Sequence, residues 1–393
     1  MLPYSDLPYF IVILLVALPA AILGALGRSR SGWILAATAI MAVVHFGLRS
    51  EVVWGRNVTE LGVVVGYALV QLLLVTGYAR WRRRHPSRVW LAIAILVSVV
   101  PLIATKVLGL TRPSLGVGFL GISYLTFRAV DALIVVGDQL ETTIRPGPYL
   151  AFLLFPATLS AGPIDRYRRF AADFYGRLGR EEFLAGVDAG IAVLFRGLLY
   201  KFIIAALIED QLVNRVVGTT GVLGTLGYMY AYSGYLFFDF AGYSAIAIGV
   251  SRFFGIATPA NFDRPFLAAN IVDFWNRWHI SLSSWFRDHV YMRFLLAATK
   301  GRWFGGRRYL ASAIGFLVTF GLMGAWHGLE PRYLVYGGYH AGLLIGHQSV
   351  TRLARNQPGL AHLAKSPVWR WFAVAVTFNA VCFGFLIFSG RLG

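Results

Sequence analysis

The sequence predicts an all-α polytopic membrane protein of about eleven transmembrane helices, forming one membrane domain over residues 1–393. Three observations carry that prediction. Of the 393 residues, 57% are hydrophobic and 14% are charged, against about 25% charged in an ordinary soluble chain. The mean hydropathy is +0.64. The apolar residues gather in uncharged runs close to the ~20 residues that cross a bilayer core, and the basic residues fall in short clusters between those runs. A net charge of +18 would also suit a nucleic-acid binder, but clusters confined between apolar runs read as cytoplasmic loops. The single cysteine, Cys382, excludes an intrachain disulfide framework and a cysteine-rich metal site.

In chain order, clean spans are expected at 7–27, 31–48, 61–79, 89–105, 216–238, 309–329, 333–351 and 371–390. The first, followed by Arg28 and Arg30 with no convincing small-residue cleavage site, reads as a span rather than a cleaved leader. Four runs are less regular. The run 113–137 holds Arg128 and Asp131, three apart and so on one helical face. The run 183–208 holds Asp188, Arg196 and Lys201, and 148–164 and 240–255 are short or broken by Gly and Pro. Short broken runs suit re-entrant segments covered by protein or water. "RWRRRHPSR" (80–88), 165–182, 252–308 and 351–370 are basic and expected on the cytoplasmic side, which puts both termini outside. No internal repeat is evident, which argues against a transporter built from two matched halves.

"NIVDFWNRWHISLSSWFRDHVYMR" (270–293) fits neither a span nor a soluble loop. At about 100° per residue, Trp275, Trp278, His279, Leu282, Trp285, Phe286 and His289 fall on one arc. Asp273, Asn276, Arg277, Ser281, Ser284, Arg287 and Asp288 fall on the other, with Ile280 the exception. The pattern predicts an amphipathic segment within 261–300, broken into two short helices at the serines. For the tryptophans and arginines an interfacial helix is a sufficient reading. His279 sits among aromatic residues, where a neutral imidazole is favoured over a charged one. Such a histidine accepts a proton or bonds a substrate, or is a satisfied structural residue, and composition leaves both open.

His327 ends an uncharged run in "GLMGAWHGLEPRYLVYGGYH" (321–340). A histidine at membrane depth is costly and marks a functional site by default, with an interhelical hydrogen bond as the alternative. Gly321, Gly324, Ala325 and Gly328 leave room beside it for a helix or a ligand. His340 and His347, on the next run, read as structural. No zinc-ligand spacing, phosphate-binding glycine loop or serine nucleophile elbow is present. A histidine base with no protein nucleophile suits direct transfer of an already activated acyl group to a hydroxyl.

The stretch "NFDRPFLAANIVDFWNRWHISLSSWFRDHVYMR" (261–293), with "GAWHG" (324–328), resembles the signature of the membrane-bound O-acyltransferase (MBOAT) superfamily. "GISYLTFRAVD" (121–131), "SAGPIDRYRRF" (160–170) and "RDHVYMRF" (287–294) are similar to its teichoic acid D-alanyltransferase branch, and the likeness runs from about 8 to 390. His289 departs from the branch, which usually has an aromatic residue there. The resemblance implies tilted helices ringing a thin core, with a cytoplasmic and an extracellular funnel. It implies no tightly bound cofactor and no metal, and a donor D-alanine held as a thioester on the phosphopantetheine arm of a small acidic carrier protein. It implies an acceptor hydroxyl on teichoic acid or a membrane partner. It places the catalytic histidine at His327 and the second signature histidine at His279. Trp275, Asn276, Arg277, Trp278, Ser281, Trp285, Arg287 and Arg293 then line the mouth that receives the carrier. The alternative acyl group is acetyl, delivered to a periplasmic polysaccharide or peptidoglycan.

Overall fold

The computed structural model describes residues 4, 7–47, 54–111, 118–160, 162–354 and 366–392. Parts of the runs 31–48, 113–137, 148–164 and 351–370 lie outside these residues. The described residues are helical, with one isolated antiparallel bridge between Phe262 and Trp278. Seven of their helices are long and apolar enough to cross a membrane: Pro8–Ala25, Thr59–Arg82, Arg88–Thr111, Arg180–Val216, Gly221–Phe253, Arg308–His327 and Pro367–Ser389. Ser31–Gly47 is a shorter apolar helix.

One expectation about individual spans is corrected. The runs 216–238 and 240–255 form one helix, Gly221–Phe253. Asp239, which splits the run in sequence, is paired with Lys201 at 2.5 Å, so the helix continues past a neutralised charge. Lys201 itself lies in a π-helical stretch, Leu199–Ala205, that continues the helix Arg180–Leu198. The run 148–164, expected to be short and broken, holds the short helix Pro146–Leu153 and a 3₁₀ turn, Pro156–Thr158, and both are buried.

The chain groups into two compact units, Met1–Leu198 with Gly242–Pro259, and Leu199–Ala241 with Ala260–Gly393. In the first, Arg128 and Asp131 do not neutralise one another. Arg128, 1% exposed, donates to the carbonyls of Phe152 (3.0 Å), Leu153 (2.9 Å) and Thr158 (2.5 Å). Those oxygens end the two short helical pieces, so one guanidinium satisfies acceptors that water cannot reach. Asp131 accepts from the Tyr167 amide (2.8 Å) and from Arg166 (3.0 Å), at the start of the helix Tyr167–Tyr175. A carboxylate there faces the positive end of the helix dipole.

The second unit is organised around the hairpin of Arg308–His327 and Pro331–Ala354. Its two helices meet backbone to backbone. A Cβ on Gly324 would lie 2.4 Å from the Tyr333 carbonyl oxygen, and one on Gly337 would lie 2.3 Å from that of Phe320. This is small-residue packing, and it sets the register of His327, one turn beyond Gly324. Gly337→Ala is therefore expected to cost on the order of 1–3 kcal/mol, as overpacking does. Gly338→Ala, where a Cβ would meet open space, should stay within about 0.5 kcal/mol of the parent. Thermal unfolding in detergent compares them, and equal midpoints would refute the helix contact.

Candidate active site

The opening half of the amphipathic segment is the helix Ile271–Arg277, capped by Asn270, whose side chain accepts from the Asp273 amide at 2.9 Å. The second helix is Ile280–Phe286. The break falls at His279 and not at the serines. His279 has φ 44° and ψ 52°, a left-handed conformation uncommon for a residue with a side chain. Asn261 holds this turn. Its backbone carbonyl accepts from the Ile280 amide (2.9 Å), and its Oδ1 accepts from the Ser281 amide (3.2 Å) and hydroxyl (2.8 Å). The Ser283 hydroxyl donates to the Trp278 carbonyl at 3.0 Å. Three of these four bonds serve backbone next to His279 and the fourth ties Ser281 to Asn261, so none of them occupies the His279 ring.

Sequence reasoning passed over Asn261. The available signal was Ser281, a polar residue on the polar arc that is nonetheless 3% exposed and so requires a buried partner.

His279 is 4% exposed and its Nε2 is buried with no hydrogen-bond partner. Phe240 meets the ring edge to face at 4.6 Å. Burial first, and His327 second, push its pKa down to about 3, so the imidazole is neutral at any ordinary pH. An unfolded histidine protonates below about 6.5. The folded one resists until about 3, so stability from this site is full above ~6.5 and is lost as the pH falls toward 3.

His327 comes from the other end of the unit and reaches the same place. Its ring contacts Phe388 (4.9 Å) and Trp326 (4.5 Å), with Tyr333 and Tyr336 at 6.1 and 6.2 Å. Both histidines line one cavity of about 60 Å³, together with Phe240, Trp275, Trp278, Tyr336 and Phe388. A neutral imidazole and a second imidazole thus face one cavity with a largely aromatic wall. Such groups can move a proton and polarise a carbonyl.

The remaining sequence candidates divide. Trp275 and Trp278 belong to the cavity wall. Ser281 supports the turn. Asn276 is exposed, Arg277 is paired with Asp273 at 2.7 Å, and Arg287 with Asp288 at 2.9 Å. Trp285 packs on Phe286 and His289 (5.4 and 4.9 Å), and Arg293 is half-buried on the following helix, Met292–Lys300. His340 is fully buried against Trp275 (5.1 Å) and Tyr336 (4.6 Å).

Residues 120–389 match the family model described as MBOAT, membrane-bound O-acyltransferase family. The chain belongs to the membrane-bound O-acyltransferase family, and the protein is a multi-pass membrane acyltransferase. It is 39% identical to the teichoic acid D-alanyltransferase of Bacillus subtilis (strain 168), over 100% of this chain and 98% of that relative. It is 33% identical to the teichoic acid D-alanyltransferase of Streptococcus thermophilus, over 99% and 95%. It is 32% identical to a probable alginate O-acetylase of Pseudomonas fluorescens, over 79% of this chain and 59% of that protein.

Asn261→Ala strips the acceptor from two donors beside His279. It is expected to cost about 1–3 kcal/mol and to depress acyl transfer. Ser281→Ala removes one donor and leaves Oδ1 bonded to the backbone, so its effect should be smaller in both respects. Melting curves and transfer rates measured side by side decide the matter. Equal losses in the two variants would show that the amide is not what holds the turn.

Proposed function

We propose that the protein transfers D-alanine from a phosphopantetheine thioester on an acidic carrier protein to a hydroxyl of teichoic acid. The observation that carries this reading is the convergence of His279 and His327 on one small aromatic cavity. The names of the full-length relatives support the acyl group and the acceptor. His327 takes the proton of the attacking hydroxyl as its oxygen forms a bond to the thioester carbonyl carbon. The carbon–sulfur bond then breaks, and the proton passes from His327 to the departing sulfur, so no net proton is released. His279, neutral, donates a hydrogen bond to the carbonyl oxygen as negative charge builds on it. The arm supplies the activated acyl group, and the protein keeps no tightly bound cofactor of its own.

The carrier docks on the basic face of 252–308. Support comes from a groove of about 500 Å³ lined by Thr299, Arg302, Phe304, Arg307 and Arg308. An acidic protein is steered to such a surface. With that face cytoplasmic, both termini lie outside.

A positioned base contributes about 10²–10⁴-fold. His327→Gln should therefore insert, melt normally and bind carrier, but lose at least about a hundredfold in transfer. His279→Asn tolerates the left-handed turn. It should lower transfer while leaving the acidic limb of the pH–rate profile in place, because His279 does not titrate above about 3. Near-normal turnover by His327→Gln in reconstituted vesicles would remove it as the base. An acetyl donor replacing D-alanine in the same assay, with a polysaccharide as acceptor, would favour the reading suggested by the alginate O-acetylase relatives.

Arg293→Glu with Arg302→Glu should weaken carrier binding at low salt, and a cysteine at Ser87 should react with an impermeant reagent only from the side where carrier is added. Labelling of Ser87→Cys from the opposite side would overturn the orientation.

A further inference from the structure

The hairpin of Arg308–His327 and Pro331–Ala354 carries a larger cavity at the end away from His327. It holds about 900 Å³, and all its lining residues belong to the second unit. Arg307, Arg308 and Arg352 stand at its rim, where both helices reach the membrane surface. Phe316 and Leu344 line it further in. Each lies about two turns, or ~12 Å, along its helix from Arg308 and Arg352. The helices are antiparallel, so both steps run the same way, from the surface inward. The cavity is therefore cationic outside and apolar inside, with Gln348 between the two.

The rim arginines are uncommitted. Arg277 and Arg287 are ion-paired, but among the described residues no carboxylate pairs with Arg307, Arg308 or Arg352. Arg352 lies over the Tyr309 ring at 5.6 Å, and the Tyr309 hydroxyl is bonded to Ser349 at 2.6 Å. A guanidinium placed on a fixed ring keeps its fork of donors for an oxyanion such as phosphate. Gln348 takes the Ser312 hydroxyl on Oε1 at 3.1 Å, which leaves its amide donors for a further acceptor.

We propose that this cavity binds an anionic phospholipid of the surrounding leaflet, with its phosphate among Arg307, Arg308 and Arg352 and its upper acyl chain against Phe316 and Leu344. Basic pockets between membrane helices suit acidic headgroups. The polarity gradient selects a lipid over a soluble phosphate, which would use the rim alone. No carboxylate lines the cavity among the described residues, so nothing there receives the ammonium of a zwitterionic headgroup. A bound lipid would tie together the two helices whose packing sets the register of His327. Arg307 and Arg308 also edge the groove of about 500 Å³ described above, whereas Arg302 lines that groove alone and Arg352 lines this cavity alone. Those two arginines separate lipid binding from carrier docking.

The test uses the full chain in phosphatidylcholine bilayer discs with increasing phosphatidylglycerol. The probe is phosphatidylglycerol carrying a photoreactive diazirine high on one acyl chain, with the matching phosphatidylcholine as control. Mass spectrometry locates the labelled peptides. The phosphatidylglycerol probe should label the segments of Phe316 and Leu344 in preference to the control, and phosphatidylglycerol should raise the unfolding midpoint, as a ligand of the folded state does. Arg352→Gln should cut this labelling at least about fivefold and remove the rise in midpoint, while melting like the parent in phosphatidylcholine alone. Arg302→Gln should leave both effects in place. Competition in the parent chain needs no variant: unlabelled phosphatidylglycerol should displace the probe, and inorganic phosphate should not. Equal labelling by the two probes would show an ordinary lipid-facing surface and overturn the site. So would unchanged labelling in Arg352→Gln, or an equal loss in Arg302→Gln, which would mark a diffuse basic surface. Complete displacement by inorganic phosphate would overturn the choice of a lipid.

Discussion

The site depends on one side chain, the amide of Asn261. Its oxygen takes two donors from Ser281 while its own carbonyl takes the Ile280 amide. Two short helices stop and start at His279, and each end leaves backbone groups that nothing else in an apolar interior can satisfy. Asn261 supplies the partners that make a left-handed histidine affordable in that setting. With the backbone satisfied from one side, the imidazole is free to face the other. Its Nε2 remains unpaired, and an unpaired buried polar atom costs about 1–3 kcal/mol. A ligand that bonds this nitrogen would recover that cost.

The same logic recurs on a larger scale in the first unit. Arg128 and Asp131, a turn apart, look in sequence like partners for one another. Each serves a different set of broken backbone instead, the guanidinium at helix carbonyl ends and the carboxylate at a helix amide end. Buried charge is here the means by which interrupted helices remain satisfied. Lys201 and Asp239 do the reverse in the second unit, cancelling each other so that a long helix runs on unbroken.

What could be read from sequence follows from this. Apolar run length depends on bilayer thickness alone, so most long helices were legible. The burial of Trp275, Trp278, His279 and Leu282 followed from helical periodicity. The break at His279 did not, because a left-handed non-glycine residue has no local signature, and the serines looked more like breakers. Asn261 was hidden because its role is a contact across the chain, with nothing in spacing to mark it. The joining of 216–238 to 240–255 was hidden for the same reason, since the neutralising lysine lies in another helix. Both histidines were visible as chemistry, while their meeting in one cavity belongs to the fold.

The dimensions of that cavity bear on which acyl groups the protein can handle. About 60 Å³ is roughly twice a water molecule's share of the liquid, ~30 Å³. Its walls are rings packed on rings, as with Phe388 against His327 and Tyr336 at 4.9 and 5.2 Å, and ring-packed walls yield little without loss of contact. For the transfer proposed above, such walls would favour a short acyl group over a long chain attached to the carbonyl.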